Sequence, residues 1–204
     1  MRWATGQDQR VGFSRAELAT YRGACLPDLL GEDVRLLFVG INPGLLTAAV
    51  QAHFARPGNR FYPALYRAGI TDRLIAAGEG YRPEDLEHLK DRGVGITNVV
   101  SHATARAEEL TRQELVTGGR ELAARVFRIR PRVVAVLGLT AYRVAFDRSR
   151  AKAGQQEEDL AGAQLWVAPN PSGLNAHARL GDLAAAYREI AVAAGIDVLP
   201  VPSG

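Results

Sequence analysis

Short apolar runs punctuate a chain of otherwise mixed polarity. Residues 34–39, Val-Arg-Leu-Leu-Phe-Val, end at Gly40 as a buried strand would, and similar runs occur at Val94–Val100, Val133–Leu137 and Gln164–Ala168. The intervals between them leave room for helices. Thr111 with Glu114 three residues later makes a capping box, after which Leu115, Leu122, Val126 and Ile129 recur on one helical face. A further helix begins near Thr140, and the last carries Leu183, Tyr187, Ile190 and Ala194 at helical spacing. Pro83 followed by Glu84 and Asp85 starts another, and Phe61 and Tyr62 read as core residues of one that continues through Leu65 and Ala68.

Strands alternating with helices imply an α/β fold with a mostly parallel sheet covered on both faces. In such folds the working groups gather at the carboxyl ends of the strands. Three segments are therefore expected together: the loop 41–59, the strand end 97–104 and the loop 169–178. The length, 204 residues, suits one domain over 1–204, with Met1–Leu30 as a peripheral lead-in and Pro200–Gly204 as a tail.

Composition narrows the classes. No apolar run approaches the roughly 20 residues that cross a bilayer, and Met1–Arg10 lacks an apolar signal segment, so neither membrane insertion nor secretion is expected. Cys25 is the single cysteine, which excludes an internal disulfide and a cysteine-built metal cluster; it is expected to be a small buried apolar residue. Net charge is only +3, yet Lys90 and Lys152 are the two lysines among 25 basic residues. An arginine-rich surface suits phosphate, and the pI near 9.3 is compatible with a nucleic-acid partner without establishing one.

The first loop reads Gly40-Ile41-Asn42-Pro43-Gly44-Leu45. Glycine permits close approach of a ligand and proline stiffens the turn, so Asn42 is either a positioned side chain or part of a plain turn. Neither the Walker pattern nor the three-glycine dinucleotide fingerprint is present. Phe54-Ala55-Arg56-Pro57-Gly58-Asn59-Arg60 places an aromatic ring and two arginines in a Gly/Pro loop, a combination that stacks on a base and holds phosphates. Phe54 stands outside the helical periodicity and is the stacking candidate. In Asn170-Pro171-Ser172-Gly173-Leu174-Asn175-Ala176, Leu174 has two readings, a core residue or a wedge entering a base stack. The four histidines, His53, His88, His102 and His177, show no metal-ligand spacing; His102 and His177 are within reach of the site and read as surface or phosphate-side residues.

In this order the segments Gly40-Ile41-Asn42-Pro43-Gly44, Pro57-Gly58-Asn59-Arg60-Phe61, Gly95-Ile96-Thr97-Asn98 and Asn170-Pro171-Ser172-Gly173-Leu174 resemble the mismatch-specific uracil-DNA glycosylase family, which includes the bacterial enzyme and the eukaryotic thymine-DNA glycosylase. The resemblance spans roughly residues 33–192. It implies a three-layer α/β/α fold, double-stranded DNA containing G·U or related mismatches as partner, a monomer, no cofactor and no metal. It also implies a cytoplasmic, nucleoid-associated place in a bacterial cell.

By the same resemblance, Asn42 positions the attacking water, and Gly40, Ile41, Phe54, Asn98 and Asn170 line the base pocket. Leu174 is the wedge, Gly173 and Asn175 meet the opposite strand, and Arg60 and Ser172 contact phosphates. Asn98 either reads the uracil edge or satisfies buried backbone. An amide is a poor proton acceptor, so a slow dissociative path is implied, and with no lysine in the motifs the activity should be monofunctional. Efficient uracil-specific relatives carry Asp and His where Asn42 and Asn170 stand. Ala176 replaces a usual Arg, with Arg179 three residues on; Ser101 replaces a frequent acid, and Leu46 a small polar residue. The alternatives are a lesion- or mismatch-binding protein of the same fold without efficient excision, and an α/β protein that binds small nucleotides.

Overall fold

The computed structural model describes residues 12–173 and 178–200. At its centre is a five-stranded sheet in the order β2-β1-β3-β5-β4. The strands are β1 (Leu36–Gly40), β2 (Val94–Asn98), β3 (Val133–Leu137), β4 (Gly154–Gln155) and β5 (Gln164–Ala168). The first three and β5 run parallel, and β4 joins the β5 edge antiparallel. Four of the strands coincide with the apolar runs of the sequence, because a parallel sheet covered on both faces needs apolar residues at nearly every strand position.

The helices are α1 (Arg15–Ala19), α2 (Leu45–Val50), α3 (Phe61–Arg67), α4 (Pro83–Asp91), α5 (Arg112–Ile129), α6 (Leu139–Ala145) and α7 (Leu180–Ala193). Alternation along the strands divides the core in two. Leu36, Phe38, Val133 and Ala135 pack with Phe61 and Leu65 of α3 and Leu183 and Tyr187 of α7. Leu37, Val39, Val134 and Val136 pack with Leu122 and Val126 of α5 and Tyr142 of α6. The result is the three-layer α/β/α arrangement expected from the sequence. The capping box forms as read: the Thr111 side chain accepts from the Glu114 N–H, and the Glu114 carboxylate accepts from the Thr111 N–H.

Three differences bear on the site. The segment 41–59 is not all loop, since α2 forms within it. Residues 23–29, read as part of a peripheral lead-in, bridge antiparallel to the open side of β2: Leu29 and Ile96 exchange both backbone hydrogen bonds, at 2.9 and 2.8 Å. Leu26 and Leu29 are buried, so this stretch covers an edge that would otherwise template pairing with another chain. Cys25, expected inside, is exposed; in this bridging stretch its neighbour Leu26 takes the inward place. Among the described residues, no helix is long and apolar enough to cross a membrane.

Candidate active site

The register of the parallel strands sets the site. Gly40 at the end of β1 lies opposite Asn98 at the end of β2, and the two loops that follow leave the sheet side by side. Val99 and Val100 donate to the carbonyls of Gly40 and Ile41 at 2.9 and 3.0 Å, which extends the pairing past the strand ends. Gly40 has to be glycine here: a Cβ at this position would run into Oδ1 of Asn98 and lie 3.3 Å from the Phe54 ring. Three residues expected in the base pocket thus meet at one point.

Phe54 has a left-handed backbone, φ 57°, unusual for an aromatic residue. One face of its ring stacks on Phe61, centroids 4.0 Å apart at 26°. Phe61 is fully buried and makes edge contacts with Phe38 and Tyr62, so the half-buried Phe54 ring is braced by the core. Asn98 is buried, its side chain facing Gly40 and, through Nδ2, Nδ1 of His53 at 3.4 Å. Its carbonyl accepts from Arg125 of α5 at 2.5 Å.

Asn42 is half-buried, and its amide nitrogen is surrounded by acceptors: Thr104 Oγ1 at 2.8 Å, the Pro43 carbonyl at 3.1 Å and the His102 carbonyl at 3.3 Å. Thr104 in turn donates to the Arg106 carbonyl at 2.8 Å, so its lone pair is the part that meets Asn42. The donor end of the Asn42 amide is anchored, which leaves Oδ1 as its free acceptor.

The 169–173 stretch closes the other side. Asn170 Oδ1 accepts from the Ser172 N–H at 2.9 Å, an Asx turn. A Cβ on Gly138 (φ 145°) would press on Ile41 at 3.2 Å and lie 3.9 Å from Asn170 Nδ2, so Gly138 lies between these two side chains. Gly173 is packed so tightly on the 57–59 turn that a Cβ would lie 2.7 Å from the Gly58 carbonyl. Leu174 and Asn175, expected as wedge and opposite-strand contact, lie outside the described residues, as do Ala176 and His177.

Arg60, expected at a phosphate, lies against the late loop. Its guanidinium donates to the carbonyls of Ser172, at 2.6 Å, and Ala178, while its backbone N–H donates to Pro171 at 3.0 Å. It joins both shoulders of the late loop to α3, and the Ser172 carbonyl is one of the groups it holds. His102 is half-buried and faces Glu114 at 3.2 Å.

Four contributors were not apparent from sequence. Thr104 and Gly138 carried no local signal. His53 has no ligand spacing in the sequence, yet it is buried, and desolvation pushes its imidazole down to about 4 against the pull of the Pro27 carbonyl and Asp28. The 27–29 segment supports the pocket from behind: the Pro27 carbonyl meets His53 Nε2 at 3.1 Å, and Asp28 accepts from the Thr97 hydroxyl at 2.5 Å. Among the described residues, no group of three His, Cys, Asp or Glu side chains is placed to hold a metal ion.

Comparison with known proteins bears on the fold and the family. The solution NMR structure of a Methanosarcina acetivorans protein, provisionally assigned as a uracil DNA glycosylase, matches with a TM-score of 0.57 at 18% identity. The match covers 83% of this chain and 98% of that one, and at such identity it speaks for the fold alone. The model of the uracil DNA glycosylase superfamily matches residues 27–192, from the segment behind His53 to the end of α7. The chain belongs to the uracil DNA glycosylase superfamily.

Proposed function

We propose that this protein is a monofunctional DNA glycosylase that hydrolyses the N-glycosidic bond of uracil in mismatched double-stranded DNA, as the mismatch-specific branch of its superfamily does. The observation that carries the reading is the meeting of Gly40, Phe54 and Asn98 in one pocket beside an Asn42 whose amide nitrogen is anchored. In this reading a flat base lies against the Phe54 ring beside Gly40, with the Asn98 amide at its edge. Oδ1 of Asn42 accepts a hydrogen from water and so places it, without taking its proton into a charged pair.

The bond between C1′ and the base nitrogen breaks first, its electron pair leaving with the base. Water then adds to the sugar cation and releases a proton. Main-chain N–H groups of the 40–45 loop face the departing anion in this scheme. Turnover is slow and depends on the acidity of the leaving base. Flipping a base costs a few kcal/mol, less from a mismatch than from a matched pair, which favours G·U sites. Leu174 fills the vacated space in this proposal, with Gly173 and Asn175 toward the opposite strand, on a loop that Arg60 holds at both shoulders. Exposed Arg56 and Arg106 line a groove running past Gly44 and suit the DNA backbone.

The test is a duplex with a single G·U pair, incubated with protein and then treated with alkali to cleave abasic sites. Cleavage supports excision. A mobility shift without cleavage favours a lesion-binding protein, and neither result favours a protein acting on small nucleotides.

A further inference from the structure

The two ends of the Asn98 amide have nearly the same shape and opposite chemistry, so which end faces the pocket decides which base edge fits. Uracil presents an N3–H donor beside carbonyl acceptors. Cytosine presents an N3 acceptor beside an amino donor. The two bases require opposite amide orientations.

In this fold a buried histidine settles the orientation. Nε2 of His53 lies 3.1 Å from the Pro27 carbonyl, which can only accept, so Nε2 carries the proton. Burial disfavours a second proton, with the imidazole held down to about 4, so at neutral pH Nδ1 is an acceptor. Nδ1 faces Asn98 Nδ2 at 3.4 Å. Reversing the amide would set a lone pair of Oδ1 against that of Nδ1. Oδ1 is therefore kept on the Gly40 side, where it is the atom nearest to a Cβ built on residue 40.

The main chain of His53 is held from both sides. Its N–H donates to the Tyr81 hydroxyl at 3.1 Å and its carbonyl accepts from the Tyr62 hydroxyl at 2.9 Å. The single Tyr62 proton is engaged there, so Tyr81 donates to Tyr62 across their 2.6 Å contact. With backbone and Nε2 both fixed, the ring cannot turn to present a different atom without giving up the Pro27 bond.

We infer that His53 is a positioning residue that fixes the amide orientation of Asn98 and thereby makes the pocket accept uracil and reject cytosine. The inference rests on Asn98 reading the base edge. It gives the site a means of passing over cytosine, which differs from uracil at that edge alone.

Three variants separate the parts of the relay. His53→Asn keeps an acceptor near the Nδ1 position and drops the Pro27 bond. His53→Gln keeps a donor for Pro27 and drops the acceptor. His53→Leu drops both. The full chain is titrated with duplexes in which 2′-fluorodeoxyuridine or 2′-fluorodeoxycytidine faces an abasic position. Neither base is then paired, and the fluorine suppresses excision.

Wild type and H53N should favour the uracil probe about tenfold or more, the discrimination of a good two-point contact. H53Q and H53L should fall to within about threefold, the loss of most of that contact. Cooperative urea unfolding checks that each variant folds; if H53L does not, H53Q against H53N carries the test. Retention of the wild-type ratio by H53Q or H53L overturns the inference, as does its loss in H53N. Asn98→Ala distinguishes the two levels. If it keeps the ratio, Asn98 does not read the base and both readings fail; if it loses the ratio while H53Q keeps it, the role of His53 fails alone.

Discussion

The amide nitrogen of Asn42 donates to the Thr104 hydroxyl at 2.8 Å, and that hydroxyl donates in turn to the Arg106 carbonyl. This chain fixes which end of the Asn42 amide faces the pocket. Placement is what an amide contributes to water attack, since it cannot serve as a strong base.

Thr104→Val removes the anchor while keeping the shape. Single-turnover excision from a G·U duplex should fall about tenfold, and Asn42→Ala about a hundredfold, with duplex affinity little changed in both. Equal rates for wild type and N42A would remove Asn42 from the mechanism.

Gly40→Ala places a methyl group where Asn98 Oδ1 and the Phe54 ring already lie. The methyl should push the Asn98 amide and the Phe54 ring out of place and excision should fall at least about a hundredfold, whereas stability changes by about 1–3 kcal/mol, as for other small-to-large changes in a packed site. Urea unfolding and single-turnover kinetics on the same preparation separate the two effects.

The sheet was legible because residues such as Leu36, Leu37, Phe38 and Val39 are apolar without alternation, the pattern of a strand buried on both faces. The pocket was legible in part. Asn42 and Phe54 sit in Gly/Pro turns that local chemistry advertises, whereas Asn98 at the end of β2 was singled out by the family resemblance alone. His53 was not legible, since its partners Pro27 and Asn98 lie 26 and 45 residues away and become neighbours only when the 23–29 segment docks on β2. Two-residue β4 offers no periodicity, and α2 was hidden because the Pro43-Gly44 turn signal ran straight into its first residues. Arg60 shows a different limit: sequence identifies an arginine in a loop, but not whether carbonyls or phosphates will take its five donors.

Salt dependence tests the Arg60 assignment. A phosphate contact adds roughly one unit to the slope of log affinity against log salt, and a loop anchor does not. Arg60→Ala should therefore weaken duplex binding and slow excision while leaving the slope as in wild type. Arg56→Ala, at an exposed position on the groove, should lower the slope by about one. A slope reduced equally in both variants would return Arg60 to the backbone contacts.

Acid stability offers a reading of His53 that does not depend on catalysis. Its imidazole is lowered from 6.5 to about 4 in the folded chain, chiefly by burial. Above pH 6.5 both folded and unfolded chains hold it neutral, and the shift has no effect. As pH falls below 6.5 the unfolded chain takes up a proton that the folded chain refuses, so stability declines until the folded ring titrates near pH 4. The shift corresponds to a loss of about 3 kcal/mol across this window, at about 1.4 kcal/mol per pH unit where the difference is full. His88, also lowered mainly by burial, acts in the same direction, and the lowered carboxylates of Glu17, Glu109 and Glu114 lose their contribution as pH falls through their folded values. These groups are present in wild type and His53→Asn alike and cancel in the difference. Urea unfolding between pH 7 and pH 4.5 should show a slope in H53N shallower than wild type by about one proton's worth, about 1.4 kcal/mol per pH unit. Parallel slopes would mean that His53 titrates as an ordinary exposed histidine, and that its ring is not held neutral against Asn98.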